Sequence, residues 1–333
     1  MSVNSKLKFK TIIEFLESTQ LLKDSDKSLK HTHTTMGDKS LDIFPGKYHI
    51  NKDKLEIFYK LYTKWVFTYD EEHYLTEAHH PELCCVLIDL DFRWDKKDGQ
   101  ERKYTNDNIN FLLDKYLFYL EKYLKIEDTQ KQAFILEKTL PKEDPKKKDI
   151  MKDGIHIMYP FIVSKYNVLH LVREEIIKDQ EVIDYFKNIG FTNTIDDIVD
   201  KSVIQRNNWF MYGSCKPEKE AYKLTGIIQN GKNIKEQKKY KNIELVKLLS
   251  ISREENLKNP CFVQDDEFFT TQYELKFGKP KKRNKQKTII NKTSENLEKI
   301  RQLVSILSPT RADSFDSWIR LGWCLHNIDY SLL

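Results

Sequence analysis

Two aspartates alternate with apolar residues in the segment VLIDLDF at 86–92. The apolar run predicts a strand, and alternate side chains of a strand share a face, so Asp89 and Asp91 point the same way. Two adjacent carboxylates among buried residues repel each other and lose solvation, and a divalent cation such as Mg²⁺ or Mn²⁺ offsets that cost. The alternative is a strand end at which both acids reach water or meet Arg93.

In the segment KDGIHIMYP at 152–160, a lysine, a glycine and a histidine follow one another at every second position. On a strand, Lys152, Gly154 and His156 share one face, and Gly154 leaves room beside the imidazole for a substrate or a second backbone. A neutral imidazole next to a lysine suits contact with phosphate groups. The alternative is a structural histidine with a satisfied hydrogen bond.

A third candidate segment runs over residues 198–217. Asp200 follows two apolar residues and offers a third carboxylate. Arg206 and Lys216 bracket a stretch containing Ser214, and together they suit a triphosphate through side chains and backbone N–H groups. An ordinary β-hairpin with surface charges is the alternative for this segment.

The three segments together predict more than any one of them. Three carboxylates that hold two divalent cations are the arrangement used for nucleotidyl transfer, in which a 3′-hydroxyl attacks and pyrophosphate leaves. Nearby lysines would compensate the phosphate charge. We therefore expect Asp89, Asp91 and Asp200 to be the catalytic metal ligands of one site.

The elements that must position these residues predict an α+β fold, because strands occur among helices without regular alternation. Helices are predicted at 7–22, 53–67, 105–126, 167–188 and 241–257, and strands at 47–50, 84–92, 133–136, 154–161, 203–204, 209–212 and 222–229. We expect a catalytic domain over 1–257, a basic linker over 258–293 and a small helical unit over 294–333. That unit ends too early to close a helical bundle, so a piece of a longer protein is expected.

Composition excludes several classes of protein. The chain has 333 residues with 39% hydrophobic and 12% aromatic residues, so most of it folds. A net charge of +5 is too small to prove a nucleic-acid partner. Its 5 cysteines form no CxxC pair, which disfavours a disulfide framework or a zinc module. No apolar run approaches a membrane span, so we expect a soluble intracellular protein without membrane contact.

The order IDLD, GIH and an apolar-Asp segment running into NNWFMYGSCK resembles the archaeo-eukaryotic primase superfamily. The segments HTHTTMGDKS, GKYHI, YLTE and YGSCKP look most like the N-terminal primase half of the poxvirus-type primase–helicases of large DNA viruses. The resemblance covers about residues 30–230. The tail LVSILSPTRADSFDSWIRLGWCLHN resembles the helical PriCT-type domain that follows such primase domains.

This resemblance implies a catalytic domain with an RRM-like sheet flanked by helices, followed by a small all-α segment. It implies Mg²⁺ or Mn²⁺ as cofactor, single-stranded DNA as template, ribo- or deoxynucleoside triphosphates as substrates, and a superfamily 3 helicase domain elsewhere in the full-length chain. It also implies a place of action in the host cytoplasm. The implied site residues are the metal ligands Asp89, Asp91 and Asp200, and the nucleotide-binding residues His156, Lys152, Arg206, Lys216 and Ser214.

Two departures from the family pattern stand out. Some relatives place an arginine just after the aromatic residue of the third motif, where this chain has Trp209-Phe210, and Arg206 is the candidate replacement. Several relatives have serine where this chain has Gly154. Lys47 is a weaker candidate for nucleotide or template contact, and the basic runs at 146–148 and 276–287 suit template phosphates.

Two other classes of function stay open on the sequence alone. A haloacid-dehalogenase-type phosphohydrolase also uses DxD after an apolar strand, but Arg93 stands where that class has threonine or valine, and GIHIMYP is left unexplained. A non-catalytic nucleic-acid-binding module of a replisome is the other alternative, and the intact acidic residues together with His156 argue against it.

Overall fold

The computed structural model describes residues 9–278, apart from 23, 24, 27 and 238, and residues 294–308, 318, 319, 321, 322, 325 and 332. The chain divides into two compact units, 1–278 and 279–333. The basic stretch at 279–287 and most of the tail that resembles a PriCT-type domain lie outside the described residues. In the second unit the structure describes helix α11 (Ser294–Ser305).

The helices of the first unit surround two antiparallel sheets. They are α1 (Ile12–Thr19), α2 (Leu55–Thr68), α3 (Asn106–Tyr123), α4 (Tyr166–Ile176), α5 (Gln180–Ile189), α6 (Ile195–Ile198), α7 (Ser202–Gln205), α8 (Asn242–Leu248), α9 (Glu254–Lys258) and α10 (Asp266–Phe277). None of the described helices is long and apolar enough to cross a membrane. The antiparallel sheets and their helices confirm the predicted α+β class.

The strands form a small sheet and a large one. They are β1 (His33–Thr35), β2 (Gly46–Tyr48), β3 (Leu75–Glu77), β4 (Leu83–Asp95), β5 (Gln132–Glu137), β6 (Lys142–Glu143), β7 (Ile150–Lys165), β8 (Trp209–Phe210), β9 (Lys223–Gln229) and β10 (Lys232–Asn233). The small sheet has the order β2-β1-β3-β8, and the large sheet has the order β10-β9-β5-β7-β4, with β6 also pairing with β7. Strand β4 is therefore an edge strand.

The long β4–β7 pair brings two of the predicted motifs together. Its register places Asp89 opposite His156, Asp91 opposite Gly154, and Arg93 opposite Lys152. The other face of these strands buries Ile88 and Ile157 in the main core, so the polar residues share the opposite face.

Helices α3 and α4 complete that core because each has one apolar stripe. Leu112 and Leu120 of α3 and Leu171 of α4 are fully buried. Thr105 begins α3 as an N-cap whose side chain accepts a hydrogen bond from the backbone N–H of Asn108. A second core joins α1 and α2 to the small sheet.

Three predicted elements differ from the structure for physical reasons. Residues 203–204, predicted as a strand, lie in α7, because the carboxylate of Asp200 accepts hydrogen bonds from Ser202 and starts a helical turn. The predicted helix 167–188 is divided into α4 and α5, since Asp179 caps α5. The predicted helix 241–257 is divided into α8 and α9, because the backbone N–H of Ile251 donates to buried Glu77.

The linker predicted from residue 258 is a further difference. Helix α10 occupies part of it, because Phe269 is buried against the ring of Tyr123 and Lys276 pairs with Glu175. Before α10, the backbone N–H of Cys261 donates to the carbonyl of Val163 on β7. This part of the expected linker therefore belongs to the first unit.

Candidate active site

Strands β4 and β7 place two carboxylates and an imidazole side by side. His156 Nε2 lies 3.7 Å from Asp89 Oδ1, and Lys152 Nζ lies 3.0 Å from Asp91 Oδ1. Arg93 Nη2 is 4.0 Å from Asp91 Oδ2, while its Nε donates to Asp144. The predicted shared face of β4 and β7 is therefore polar and carries both positive and negative charges.

A stretch of chain at 192–200 covers the free edge of β4 and brings Asp200 to the same place. The backbone N–H of Asp200 donates to the carbonyl of Asp89 at 3.0 Å. Asn193 imitates a strand residue, since its amide nitrogen donates to the carbonyl of Asp91 and its amide oxygen accepts from the N–H of Arg93. The three acidic residues are thus joined through the backbone of β4.

A buried arginine fixes the same stretch from below. Arg173 of α4 is 2% exposed, and it donates to the carbonyls of Val199 and Asp196 and to the Asp196 carboxylate. The charge of a buried guanidinium must be compensated, and here carbonyl oxygens and a carboxylate do so. Arg173 therefore holds the residues that immediately precede Asp200.

The three carboxylates influence one another electrostatically. Burial, followed by the charges of Asp91 and Asp200, raises the pKa of Asp89 to about 7, and Lys152 and Lys216 act in the opposite direction. Burial, with Lys138 and Lys216, lowers the pKa of His156 to about 3, so its imidazole is neutral at pH 7. A neutral histidine therefore adds no positive charge beside Asp89.

This donor set fits a hard divalent cation. Carboxylate oxygens are the ligands that Mg²⁺ and Mn²⁺ prefer, and a cation would relieve the repulsion that raises the pKa of Asp89. Among the residues that the structure describes, no three His, Cys, Asp or Glu side chains stand together as a ready-made ligand set. Asp91 is paired with Lys152, and the oxygens of Asp200 accept from Ser202.

Aromatic rings hold the imidazole of His156 on both sides. The ring of Tyr222 stacks on it with centroids 3.7 Å apart, and the ring of Trp209 lies 4.5 Å away. A Cβ atom on Gly154 would lie 3.0 Å from the Tyr222 hydroxyl and 3.1 Å from the carbonyl of Leu90. The space that glycine leaves at 154 is therefore filled by Tyr222 and the partner strand.

Two further lysines contribute positive charge beside the acids. Lys216 is exposed and acts on both Asp89 and His156. Lys138 is half-buried, and burial together with Lys216, Lys152 and Lys142 lowers its pKa. Unlike charges thus face each other across the site, which suits a ligand that brings phosphate groups and cations together.

A family model described as the C962R protein N-terminal AEP domain matches residues 32–228, more than half of the chain. The chain belongs to the archaeo-eukaryotic primase family. This confirms the predicted resemblance. Asp89, Asp91, His156 and Asp200 all lie within the matched range.

Two viral relatives match most or all of the chain. "Putative helicase L207/L206" of Acanthamoeba polyphaga mimivirus is 26% identical, with 100% of this chain and 36% of the relative covered. "Putative helicase 184R" of Invertebrate iridescent virus 6 is 25% identical, with 90% of this chain and 33% of the relative covered. The chain thus spans about a third of the length of these relatives.

Three of the residues expected at the site are connected less directly to Asp89 and His156. Arg206 is exposed at the end of α7 and is not among the charges that act most strongly on Asp89 or His156. Ser214 lines a small pocket next to His156, but its hydroxyl donates to the carbonyl of His73. Lys47 is exposed on β2 of the small sheet, opposite Thr34.

Several residues around the candidate site were not predicted from the sequence. Arg173 gave the clearest available signal, because a charged residue stands four positions after Leu169 on the apolar face of a predicted helix. Tyr222 and Lys138 gave none, because their importance depends on β5 lying between β9 and β7 in the sheet. Asn193 contacts residues about a hundred positions earlier, which no local pattern indicates.

Proposed function

We propose that this chain is a template-dependent nucleotidyltransferase, a DNA primase or primase-polymerase, that makes primers on single-stranded DNA from ribo- or deoxynucleoside triphosphates. The observation that carries the proposal is that Asp89, Asp91 and His156 share one face of β4 and β7, while the backbone N–H of Asp200 donates to the carbonyl of Asp89 beside them. A structural histidine or a solvated strand end would not need a third carboxylate brought in by a separate segment.

Each residue has a role that its surroundings suit. Asp89, Asp91 and Asp200 would hold Mg²⁺ or Mn²⁺, which when bound activates a 3′-hydroxyl and neutralises charge on the leaving pyrophosphate. Neutral His156 donates a hydrogen bond to a phosphate oxygen, and the stacked ring of Tyr222 keeps the imidazole oriented. Lys152 and Lys216 compensate the remaining phosphate charge.

The names of the viral relatives favour a wider assembly. Both are named helicases, and the chain matches about a third of each. We therefore propose that a superfamily 3 helicase domain accompanies this primase domain in the full-length protein. Such a protein would act in viral DNA replication in the host cytoplasm, where the helicase supplies single-stranded template.

The experiment is synthesis on a single-stranded template with labelled nucleotides and Mg²⁺ or Mn²⁺, with Asp89→Asn as the inactive control. Short products made without a primer support the proposal. Phosphate release without polymer indicates the phosphohydrolase, and template binding alone indicates the non-catalytic module; either result overturns the proposal. Parallel reactions with ribo- and deoxynucleotides identify the product.

A further inference from the structure

Lys138 lies directly after strand β5 and points its ammonium group at the candidate site. Its Nζ is 4.7 Å from the centre of the Tyr222 ring, whose own centre is 3.7 Å from that of His156. The ammonium group is also close enough to His156 and Asp89 to act on both electrostatically. One tyrosine ring therefore separates Lys138 from the imidazole.

Within the described residues, Lys138 has no carboxylate as an ion-pair partner. The strongest charges around it are the lysines Lys216, Lys152 and Lys142, and of these Lys152 is paired with Asp91. Gathering ammonium groups around a half-buried one costs free energy unless an anion lies among them. The cation–π contact with Tyr222 offsets only part of that cost.

The backbone of Lys138 is held firmly, so its place at the site is built into the fold. Arg102 Nη2 donates to the carbonyl of Lys138 at 2.6 Å, its Nη1 donates to Glu137 at 2.8 Å, and its Nε donates to Asp153 at 2.7 Å. Glu137 also accepts from Tyr104. Arg102 thus joins the end of β5 to the residue next to Gly154 on β7.

We propose that Lys138 binds the phosphate groups of a nucleoside triphosphate at the face of Tyr222 that is turned away from His156. The inference rests on the proposed function and adds a phosphate-binding residue to it. A triphosphate concentrates several negative charges within a few bonds, which matches the compact group of Lys138, Lys152 and Lys216. The spaced phosphates of a single-stranded template match an extended groove better.

The experiment compares Lys138→Met with wild type in steady-state synthesis and in calorimetric binding of inorganic tripolyphosphate. Methionine keeps an unbranched stem over Tyr222 but removes the charge. We expect the nucleotide KM to rise and tripolyphosphate affinity to fall about tenfold or more, with kcat changed less than threefold, because a charge-assisted contact is lost. Lys138→Arg should recover most of both.

Lys165→Met is the matched control, since Lys165 is exposed at the opposite end of β7 and makes no contact with the site. Lys138→Gln is a second charge-free variant should the methionine variant unfold. Unchanged KM and tripolyphosphate affinity in a folded charge-free variant would overturn the proposal. A selective loss of single-stranded DNA binding would also overturn it, because Lys138 would then contact template. Failure of the wild-type protein to bind tripolyphosphate would also overturn the proposal.

The two proposals can fail separately. If the wild-type protein synthesises primers and Lys138→Met has the same nucleotide KM and tripolyphosphate affinity, the role of Lys138 is refuted and the primase function stands. The primase function is refuted if the wild-type protein makes no polymer. If Lys138→Met then also abolishes tripolyphosphate binding, Lys138 is still supported as a phosphate ligand.

Discussion

Single residues decide whether the carboxylates of this site can act together. Asp89 is the central one, because its backbone carbonyl accepts a hydrogen bond from the N–H of Asp200 and its carboxylate faces His156. Its pKa of about 7 reflects burial and two neighbouring negative charges rather than a lack of contacts. An asparagine at this position keeps the shape and removes the charge that a cation needs.

We expect Asp89→Asn and Asp200→Asn each to lower primer synthesis by about a thousandfold, because each removes a charged ligand contribution of several kcal/mol. Template binding should change little. Incorporation of labelled nucleotide measures the first effect and fluorescence anisotropy of labelled DNA the second. Asp95→Asn, at the end of the same strand and paired with Lys97, is the control. Near-normal synthesis by either site variant contradicts the assignment.

His156→Ala should act on nucleotide use rather than on template binding. The imidazole is neutral and held between aromatic rings, so its loss removes one hydrogen bond to phosphate and leaves a gap beside Tyr222. We expect the nucleotide KM to rise about tenfold, consistent with a hydrogen bond to a charged group. Steady-state kinetics with varied nucleotide checks this, and an unchanged KM would remove His156 from the site.

Elements position these residues, and the stretch at 192–200 is the most informative of them. An edge strand exposes unpaired backbone groups, and Asn193 satisfies two of those on β4. Asn193→Ala should cost about 1–3 kcal/mol of unfolding free energy, because the N–H of Arg93 and the carbonyl of Asp91 lose partners. Chemical denaturation measures this cost.

Asn51→Ala is the control for that substitution, since Asn51 is exposed and its side chain makes no capping hydrogen bond. It should change stability by less than about 0.5 kcal/mol. If Asn193→Ala is equally mild, then Asn193 does not hold the edge of β4. Asn193→Ala should also slow primer synthesis, because Asp91 and Asp200 are then held less firmly in place.

The sequence predicted the elements whose signal is local. Strands β4 and β7 were predicted because polar and apolar residues alternate over a long run, and α3 because its apolar residues repeat at helical spacing. The strands β1 and β3 were not predicted, because they have three residues each, too few for any period to emerge. The helical turn α7 was missed because it depends on the hydrogen bonds that Ser202 donates to the Asp200 carboxylate.

The site was predictable only as a set of residue types. The carboxylates and His156 could be selected because their chemistry matches a known family, and their positions agree with the strand register. The groups that hold them in place were not selected, because Arg173 and Arg102 act through backbone carbonyls of distant segments. Such contacts depend on tertiary packing, which single-sequence patterns do not encode.

At the scale of the whole first unit, stability should depend on pH through His73. Burial lowers its pKa to about 4, whereas an unfolded histidine titrates near 6.5. Below pH 6.5 the unfolded chain binds a proton that the folded chain refuses, so stability is complete above about 6.5 and falls as the pH drops toward 4. The loss attributable to His73 is about 2–3 kcal/mol.

His73→Phe keeps a ring beside Tyr62 and Trp65 and removes the titration. The difference in unfolding free energy between pH 7 and pH 4.5 should therefore be smaller in the variant than in wild type. Carboxylates contribute equally to both proteins, so only the difference between them is compared. Identical pH dependence would show that His73 is not the responsible group.

The proposed site brings residues that are far apart in the chain together around divalent cations and a nucleoside triphosphate. The most direct measurement is electron paramagnetic resonance of Mn²⁺ titrated into the protein with a nucleoside triphosphate present. We predict tight Mn²⁺ binding by wild type that Asp89→Asn and Asp200→Asn each weaken at least tenfold, while Asp95→Asn binds as wild type does. Equal Mn²⁺ binding by wild type and both site variants would contradict the account.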